Sequence, residues 1–323
     1  MYQIASSDVG KQLRVTVTKT NAIGSTSVNS AGSSTVTKGN QISLVVTSTT
    51  ATYGETLSLT TSGGSGTGSV TWTVVSGTCS VSGSTLTVGD AGSACVVSAT
   101  KASDTSYNSI TSANTTVTIG KANQAALSVL TTAGTVGVPV TLTSSGGSGT
   151  GSVSWSVVSG GCTVSGSTLT PTAAGNSCTV KATKAGDSNF NAVDSVDSQL
   201  SIAQGTQSTL TVTSTNATYG QSYALTTSGG TGTGSVSWQV VSGTCMVSGS
   251  TLTPGDAGSS CVVRATKASD ANYISKDSAD TSVSIGKAAQ ATLTVTSTSA
   301  TYGQPLALTA TGGSGLGGLV WVK

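Results

Sequence analysis

The sequence predicts an all-β chain of tandem two-sheet domains, and three observations support this fold class. Glycine, serine, threonine and valine dominate the chain, and charged residues make up only 7% of it, a composition typical of strands and turns. Tryptophan recurs at a fixed interval of 83 residues, at Trp72, Trp155, Trp238 and Trp321. Around Trp72, Trp155 and Trp238, apolar and polar residues alternate with a period of two, as in a strand with one buried face.

The 83-residue period also predicts the domain organisation, because a fixed interval of this kind indicates a repeat protein. Three complete units cover residues 38–120, 121–203 and 204–286, and an incomplete fourth unit covers 287–323. Residues 1–37 do not match the repeat and are expected to be the last strands of another domain. Because the sequence starts and stops within such units, we expect it to be a segment of a longer protein.

The first unit shows how the repeat is expected to fold. Its apolar residues alternate along about seven short strands separated by turns, and no helical period is present, which favours a sandwich or a barrel. The residues expected to face the core are Leu44, Val46, Leu57, Leu59, Val70, Trp72, Val74, Cys79, Val81, Leu86, Val88, Cys95, Val97, Ala99, Val117 and Ile119. Trp72, Trp155 and Trp238 are predicted to be core anchors, since each lies between two inward valines.

The six cysteines follow the repeat, with one pair in each complete unit and 16 residues between the members of a pair. The predicted disulfides are Cys79–Cys95, Cys162–Cys178 and Cys245–Cys261. Such bridges form in an oxidising compartment, and closing a loop of this size stabilises a domain by about 3 kcal/mol. A zinc site would need closer ligand spacing, and the remaining alternative is a pair of buried free thiols.

A glycine-rich stretch, "GGSGTGSV" at 63–70, precedes the tryptophan strand and recurs in the later units. It is not a phosphate loop, because a P-loop requires Lys-Ser or Lys-Thr after its last glycine, whereas Ser69 and Val70 follow Gly68 here. Two interpretations stay open. The loop is either a crowded connection that needs glycine backbone geometry or a binding loop at the tip of the domain.

Several stretches of the first unit resemble the bacterial immunoglobulin-like repeats of large surface and adhesin-type proteins. They are "VTWTVVSG", "CSVSGSTLTVGDAGSACVVSATK" and "SDTSYNS", and their counterparts extend the resemblance over about 38–323. The opening "YQIASSDVGKQLRVTVTKTNAIGS" is similar to the last two strands of another immunoglobulin-like type. The resemblance implies tandem immunoglobulin-like sandwiches. The cysteine spacing departs from antibody domains, whose bridged cysteines lie far apart in sequence, so a different pair of strands must be bridged.

Catalytic chemistry has little support in the sequence, and we expect no enzyme and no cofactor. Histidine is absent, so the cysteines and serines have no evident base. The carboxylate pairs Asp194 with Asp197 and Asp277 with Asp280 are read as surface charges, because residues three apart on a strand face opposite sides. Candidate calcium ligands also recur, but each has no acidic neighbour, so a turn-forming role is preferred to a metal site; they are Asp104, Asp187 and Asp270.

These features predict a non-catalytic spacer or stalk of an exported cell-surface adhesin-type repeat protein. The alternative is a binding module, either a carbohydrate-binding accessory of a secreted enzyme or a decoration on a phage virion. The expected location is extracellular or at the cell surface, with a surface protein or glycan as partner, contacted mainly by parts outside these residues. The net charge is only +2, and the sequence has no basic stripe of the kind that binds nucleic acid. The opening residues do not have the pattern of a signal peptide, so we expect an export signal elsewhere, and no apolar run of about 18 residues predicts a membrane span.

The connections between units predict an extended rod, because each unit follows the last without a proline-rich or glycine-serine spacer. The strands end in "TIGKANQ", "SIAQGTQ" and "SIGKAAQ", and the next unit begins at once. At roughly 3.3 Å per residue, strands of this length give domains of about 35–45 Å.

Overall fold

A computed structural model describes residues 1–175 and 178–323 of the chain. The chain divides into two compact units. The first unit comprises Met1–Thr131, Leu142–Val158 and Val180–Ser198, and the second comprises Thr132–Thr141, Ser159–Thr179 and Gln199–Lys323. The division runs through the second repeat, so the domain bounds read from the 83-residue period remain a prediction.

The first repeat is a β-sandwich whose strands lie in the first unit. One sheet has the order β11-β10-β12-β4 with β7 paired to β10, and another has the order β5-β9-β8. Within the larger sheet, β4 and β12 are neighbours and run parallel, with Ile119 opposite Ala51. The strands are β3 Leu44–Val46, β4 Thr50–Thr52, β5 Thr56–Ser58, β6 Thr61–Gly63, β7 Val70–Ser76, β8 Ser80–Ser82, β9 Thr85–Thr87, β10 Ala94–Lys101, β11 Ile110–Thr111 and β12 Thr115–Gly120.

The second repeat has the same succession of strands at the same spacing. Its pairings include β13 with β16, in the first unit, and β15, β19 and β18 in a three-stranded sheet in the second unit. The strands are β13 Leu127–Val129, β14 Ala133–Thr135, β15 Val140–Thr141, β16 Ser144–Gly146, β17 Val153–Gly160, β18 Cys162–Ser165, β19 Thr168–Pro171, β20 Gly175–Lys184, β21 Val193–Asp194 and β22 Ser198–Ala203.

The third repeat lies in the second unit and reproduces the two larger sheets of the first repeat, in the orders β24-β32-β30-β27 and β25-β29-β28. The strands are β23 Leu210–Val212, β24 Asn216–Thr218, β25 Tyr223–Ala224, β26 Thr227–Gly229, β27 Val236–Ser242, β28 Met246–Ser248, β29 Thr251–Thr253, β30 Ser260–Lys267, β31 Lys276–Asp277 and β32 Thr281–Gly286. The chain is therefore built of tandem immunoglobulin-like β-sandwich domains.

The two flanking segments contain less regular structure. Before the first repeat lie a short 3₁₀ turn at Ser6–Asp8 and an exposed antiparallel hairpin of β1 Thr16–Asn21 and β2 Gly24–Asn29. After the third repeat lies a hairpin of β33 Thr294–Val295 and β34 Ala310–Thr311. None of the helices among the described residues has the length and hydrophobicity of a membrane span.

The cores of the sandwiches confirm the period-two alternation read from the sequence. In the first repeat the side chains of Cys95, Val97 and Ala99 are inaccessible to solvent, while Val96 between Cys95 and Val97 is half-buried. Leu86 fills the centre of the sandwich, and its counterparts Leu169 and Leu252 are also fully buried. The structure has ten short strands in this repeat where the sequence suggested about seven, because turns interrupt several of the predicted strands.

Candidate functional site at the junctions between repeats

A single residue separates the last strand of one repeat from the first bridged residue of the next. Between the first two repeats the strand ends at Gly120, Lys121 follows, and Ala122 forms a parallel bridge with Phe190. Between the second and third repeats the same positions are Ala203, Gln204 and Gly205, and Gly205 is bridged to Tyr273. The loops that contain the aromatic residues Phe190 and Tyr273 therefore lie directly at the junctions.

An aspartate shapes each of these loops. The Asp187 carboxylate accepts hydrogen bonds from the backbone N–H groups of Asn189 and Phe190, at 2.9 Å each, and of Thr150, at 2.6 Å. These backbone donors, led by Thr150, lower the pKa of Asp187 to about 2. The counterparts Asp104 and Asp270 make the same bonds and have the same lowered pKa. The arrangement is that of a turn-forming aspartate.

The glycine-rich loop is clamped against the aspartate loop. In the first repeat the backbone N–H of Gly66 donates to the side chain of Gln41 at 3.2 Å, and that of Thr67 donates to Asp104 at 2.6 Å. A Cβ atom at Gly66 would lie 2.5 Å from the Asp104 carboxylate, and one at Gly68 would overlap the carbonyl oxygen of Ala102. Close packing therefore requires these glycines, which supports the structural interpretation of the loop.

Sequence reasoning missed the glutamines that hold this end of each repeat together. Gln41 is only 7% exposed, and its Nε2 donates to the backbone carbonyl of Asn108 at 2.7 Å. Gln124 and Gln207 occupy the same place in the later repeats and make the matching bonds. The signal was present in the sequence, since a polar residue recurs at the 83-residue period just before a buried strand.

The junction between the first and second repeats, inside the first unit, is closed by side chains. The Asn189 carboxamide oxygen accepts the Ala91 N–H at 2.9 Å, and its nitrogen donates to the Asp90 carboxylate at 3.0 Å. The ring of Phe190 meets that of Tyr53 edge to face, with centroids 5.3 Å apart. Asn189 and Phe190 thus bind a surface that the preceding repeat provides.

The junction between the second and third repeats, inside the second unit, has an asparagine at the same loop position. The Asn272 carboxamide oxygen accepts the Ala174 N–H at 3.0 Å. Backbone atoms approach closely beside it, because a Cβ atom at Gly205 would lie only 2.6 Å from the carbonyl oxygen of Val136. The asparagine of the aspartate loop therefore accepts an alanine N–H at both junctions, while the neighbouring contacts differ.

The structure joins the cysteines of each repeat by a disulfide between the two sheets. In the first repeat Cys79 immediately precedes β8 and Cys95 lies in β10, with Cα atoms 6.0 Å apart. The corresponding Cα distances are 5.7 Å in the second repeat and 6.1 Å in the third. The bridge therefore ties the smaller sheet to the centre of the larger one.

The tryptophans lie at the margin of the core rather than deep inside it. Trp72 and Trp238 pack against the cores of their repeats, and Trp72, Trp155 and Trp238 are all half-buried. The cause is the position of their strand, since β7 pairs with β10 along one side. Their role as core anchors rather than ligand platforms remains a prediction.

The paired aspartates face different partners. Asp194 accepts a hydrogen bond from Thr183 at 2.7 Å, while Asp197 lies 3.3 Å from Lys181. In the third repeat Asp280 pairs with Arg264 at 2.7 Å, and the Arg264 guanidinium lowers the pKa of that carboxyl. No group of three or more acidic or cysteine side chains among residues 1–175 and 178–323 could hold a metal ion.

Comparisons with known proteins give only distant similarities. No protein-family model matches the chain, and no curated protein matches it. Among solved structures, the chain is similar to Drosophila N-cadherin EC1-4, with 10% identity, 86% of this chain and 83% of that chain covered, and a TM-score of 0.30. It is also similar to the insect immune protein hemolin, with 13% identity, 81% and 79% covered, and a TM-score of 0.31. TM-scores this low support no argument about function.

Proposed function

We propose that this chain is a non-catalytic spacer segment of an exported cell-surface adhesin-type repeat protein. The observation that carries the proposal is the one-residue connection at Lys121 and at Gln204, each followed by a bridged residue of the next repeat. A connection this short removes the freedom that a flexible linker would give. Such a short connection suits a protein that holds other domains at a fixed distance and orientation and catalyses no reaction.

The side chains of the connecting residues support the same function. The Lys121 ammonium donates to the backbone carbonyl of Asp187 at 2.5 Å, and Gln204 donates to that of Asp270 at 2.6 Å. Each connecting residue is thereby tied to the aspartate loop of the repeat that follows it. The disulfide in every repeat suits an exported protein, because such bonds persist in oxidising compartments.

Small-angle X-ray scattering on the full chain tests the spacer proposal. The sequence leads us to expect a maximum dimension well above about 120 Å for three complete and two partial domains of about 35–45 Å each. A globular chain of this length would instead have a radius of gyration of about 20 Å. A value near that figure would overturn the spacer function.

The binding-module alternative is favoured by one observation, the half-exposed tryptophans of the three complete repeats. Tryptophan is common at binding surfaces because it combines a large apolar face with a polar N–H group. Acrylamide quenching of the full chain, with and without a panel of glycans, separates the two functions. Glycan-dependent protection of Trp72, Trp155 and Trp238 from quenching would support the binding module instead of the spacer.

A further inference from the structure

The first junction shows which groups of one repeat bind a loop of the next. We call these groups the docking surface, and in the first repeat they are Tyr53, Asp90, Ala91 and Lys121. The Asn189 carboxamide uses both of its ends there, because its oxygen accepts the Ala91 N–H and its nitrogen donates to the Asp90 carboxylate. A hydrogen bond to an ionised group is stronger than one between neutral groups. The docking surface therefore recognises an asparagine by a donor and a charged acceptor.

Two further contacts involve the residues on either side of the asparagine. The Phe190 ring meets the Tyr53 ring edge to face, which is an arrangement that aromatic pairs prefer. The Lys121 ammonium donates to the backbone carbonyl of Asp187, whose carboxylate shapes the loop. The ligand of this docking surface is therefore a loop of the type Asp-x-Asn-aromatic, at 187–190.

The third repeat has the same docking surface, residue for residue. Each member lies two 83-residue periods after its counterpart, and they are Tyr219, Asp256, Ala257 and Lys287. The neighbouring residues are identical as well. The sequence "ATYG" occurs at 51–54 and 217–220, "GDAGS" at 89–93 and 255–259, and "GKA" at 120–122 and 286–288.

The backbone of the third repeat holds these groups in the geometry found in the first. The glycine after the alanine, Gly92 or Gly258, has a φ of 77° in the first repeat and 78° in the third. Its N–H donates at 2.8 Å to the isoleucine of the last strand in both repeats. The N–H groups of Tyr53 and Tyr219 each donate at 2.9 Å to the glycine that ends that strand. The docking surface is therefore preformed, which lowers the entropic cost of binding a loop.

The docking surface is partly covered in the first repeat and open in the third. Ala91 and Tyr53 are half-buried. Ala257 is exposed, and Tyr219 is 50% exposed. A depression of about 510 Å³ borders Gly258 in the same turn. The third repeat therefore has space for a loop of the kind that the first repeat binds.

We propose that the docking surface of the third repeat binds an Asp-x-Asn-aromatic loop of another repeat of this type. The asparagine of that loop accepts the Ala257 N–H and donates to the Asp256 carboxylate, and its aromatic ring packs against Tyr219. A second copy of this chain is a less suitable occupant. Its loops at 187–190 and 270–273 already bind within their own chain, and its loop at 104–107 has Ser106 in place of the asparagine.

A peptide titration followed by NMR tests this inference. The probe is a cyclic peptide with the sequence "AGDSNFNA" of 185–192, added at up to about 5 mM to the oxidised, isotope-labelled full chain. It should shift the Ala257 amide signal saturably. The Ala91 signal is the internal control and should stay in place, because its N–H already donates to Asn189.

A second peptide, with alanine in place of the asparagine, tests the specificity. It should bind at least about tenfold more weakly, because it lacks the hydrogen bond to a charged group. No saturable shift at Ala257, or equal affinity for the two peptides, would overturn the proposal. A shift of Ala257 with the concentration of the chain alone would identify a second copy as the occupant and would also overturn it.

Substitutions in the full chain locate the bound peptide. Asp256→Ala and Tyr219→Leu should each weaken binding at least about threefold. Tyr302→Leu is the matched control, because Tyr302 lies one period after Tyr219 and is exposed, and it should leave the affinity unchanged. Slow exchange of the Gly258 amide, which donates to Ile285, shows that a variant keeps the turn. Unchanged affinity in both Asp256→Ala and Tyr219→Leu would overturn the proposal.

The inference goes beyond the spacer function, and the two fail separately. The scattering experiment measures the dimensions of the whole chain, and the titration measures binding at one surface. An extended chain that does not bind the peptide would retain the function and lose the inference. A compact chain that binds the peptide at Ala257 would do the reverse.

Discussion

Phe190 of the second repeat meets Tyr53 of the first repeat edge to face, with ring centroids 5.3 Å apart and an interplanar angle of 82°. This geometry places the electropositive edge of one ring against the electronegative face of the other. Phe190 reaches this position because the Asp187 carboxylate holds its backbone N–H in a tight turn. A ring contact between two repeats therefore depends on a carboxylate within one of them.

A double-mutant cycle on this ring pair should reveal a favourable coupling energy. We expect Tyr53→Leu and Phe190→Leu to destabilise the first junction, with a coupling of about 0.5–1.5 kcal/mol in differential scanning calorimetry of the full chain. The control pair combines Phe190→Leu with Tyr219→Leu, which occupies the same position in the third repeat. Additive effects of Tyr53→Leu and Phe190→Leu would contradict the ring contact.

Gly205 should not tolerate alanine. A Cβ atom there would lie 2.6 Å from the Val136 carbonyl oxygen, so Gly205→Ala should destabilise the chain by about 1–3 kcal/mol, as overpacking does. Gly39 is the matched control, because the nearest atom to an added Cβ is a Tyr107 ring carbon at 3.6 Å. Gly39→Ala should change the free energy of unfolding by less than about 0.5 kcal/mol. Equal effects in thermal melting would exclude the close approach.

Most of the fold could be predicted from the sequence, because the signals that define it are local. Residues alternate between the core and solvent along each strand, so Leu44, Val46, Val117 and Ile119 were placed correctly from spacing alone. The period of 83 residues made each expectation testable three times within one chain. Trp72 is less buried than the sequence led us to expect. Alternation shows which face of the sheet a residue occupies, but not how fully other side chains cover that face.

The candidate site could be predicted only in part, because its contacts join residues far apart in sequence. Asn189 and Ala91 are 98 residues apart, and no local pattern indicates that they meet. The aspartate turns were expected, since Asp bonded to the backbone two and three residues later is a local signal. The glutamine clamps were missed, although their recurrence pointed to a buried polar residue.

The aspartate turns should make the chain sensitive to acid. The pKa values of Asp104, Asp187 and Asp270 are lowered from an ordinary 3.8 to about 2, chiefly by backbone N–H donors. A carboxyl with a lowered pKa in the folded state stabilises that state above the unfolded value and loses this contribution as pH falls. The melting temperature should therefore fall as the pH drops from about 4 to about 2.

A triple variant isolates this effect from the other carboxylates. Replacing all three aspartates by asparagine should lower the melting temperature at pH 7, because an amide cannot accept the same set of N–H donors with both of its polar atoms. The variant should also lose the part of the acid dependence that belongs to these turns. If the melting temperatures of the original chain and the triple variant fall equally between pH 4 and pH 2, other carboxylates cause the acid sensitivity.

Each disulfide should be confined to its own repeat and should contribute strongly to its stability. Non-reducing peptide mapping should recover Cys79 with Cys95 and the matching pairs of the other repeats. Removing one bridge by Cys79→Ala with Cys95→Ala should cost about 3 kcal/mol, because the bridge closes a loop of about 15 residues. It should lower the melting of the first repeat and leave the third repeat unchanged, since the stability of a repeat array is close to a sum over repeats and interfaces. Bridges between repeats, or free thiols after oxidative expression, would contradict this arrangement.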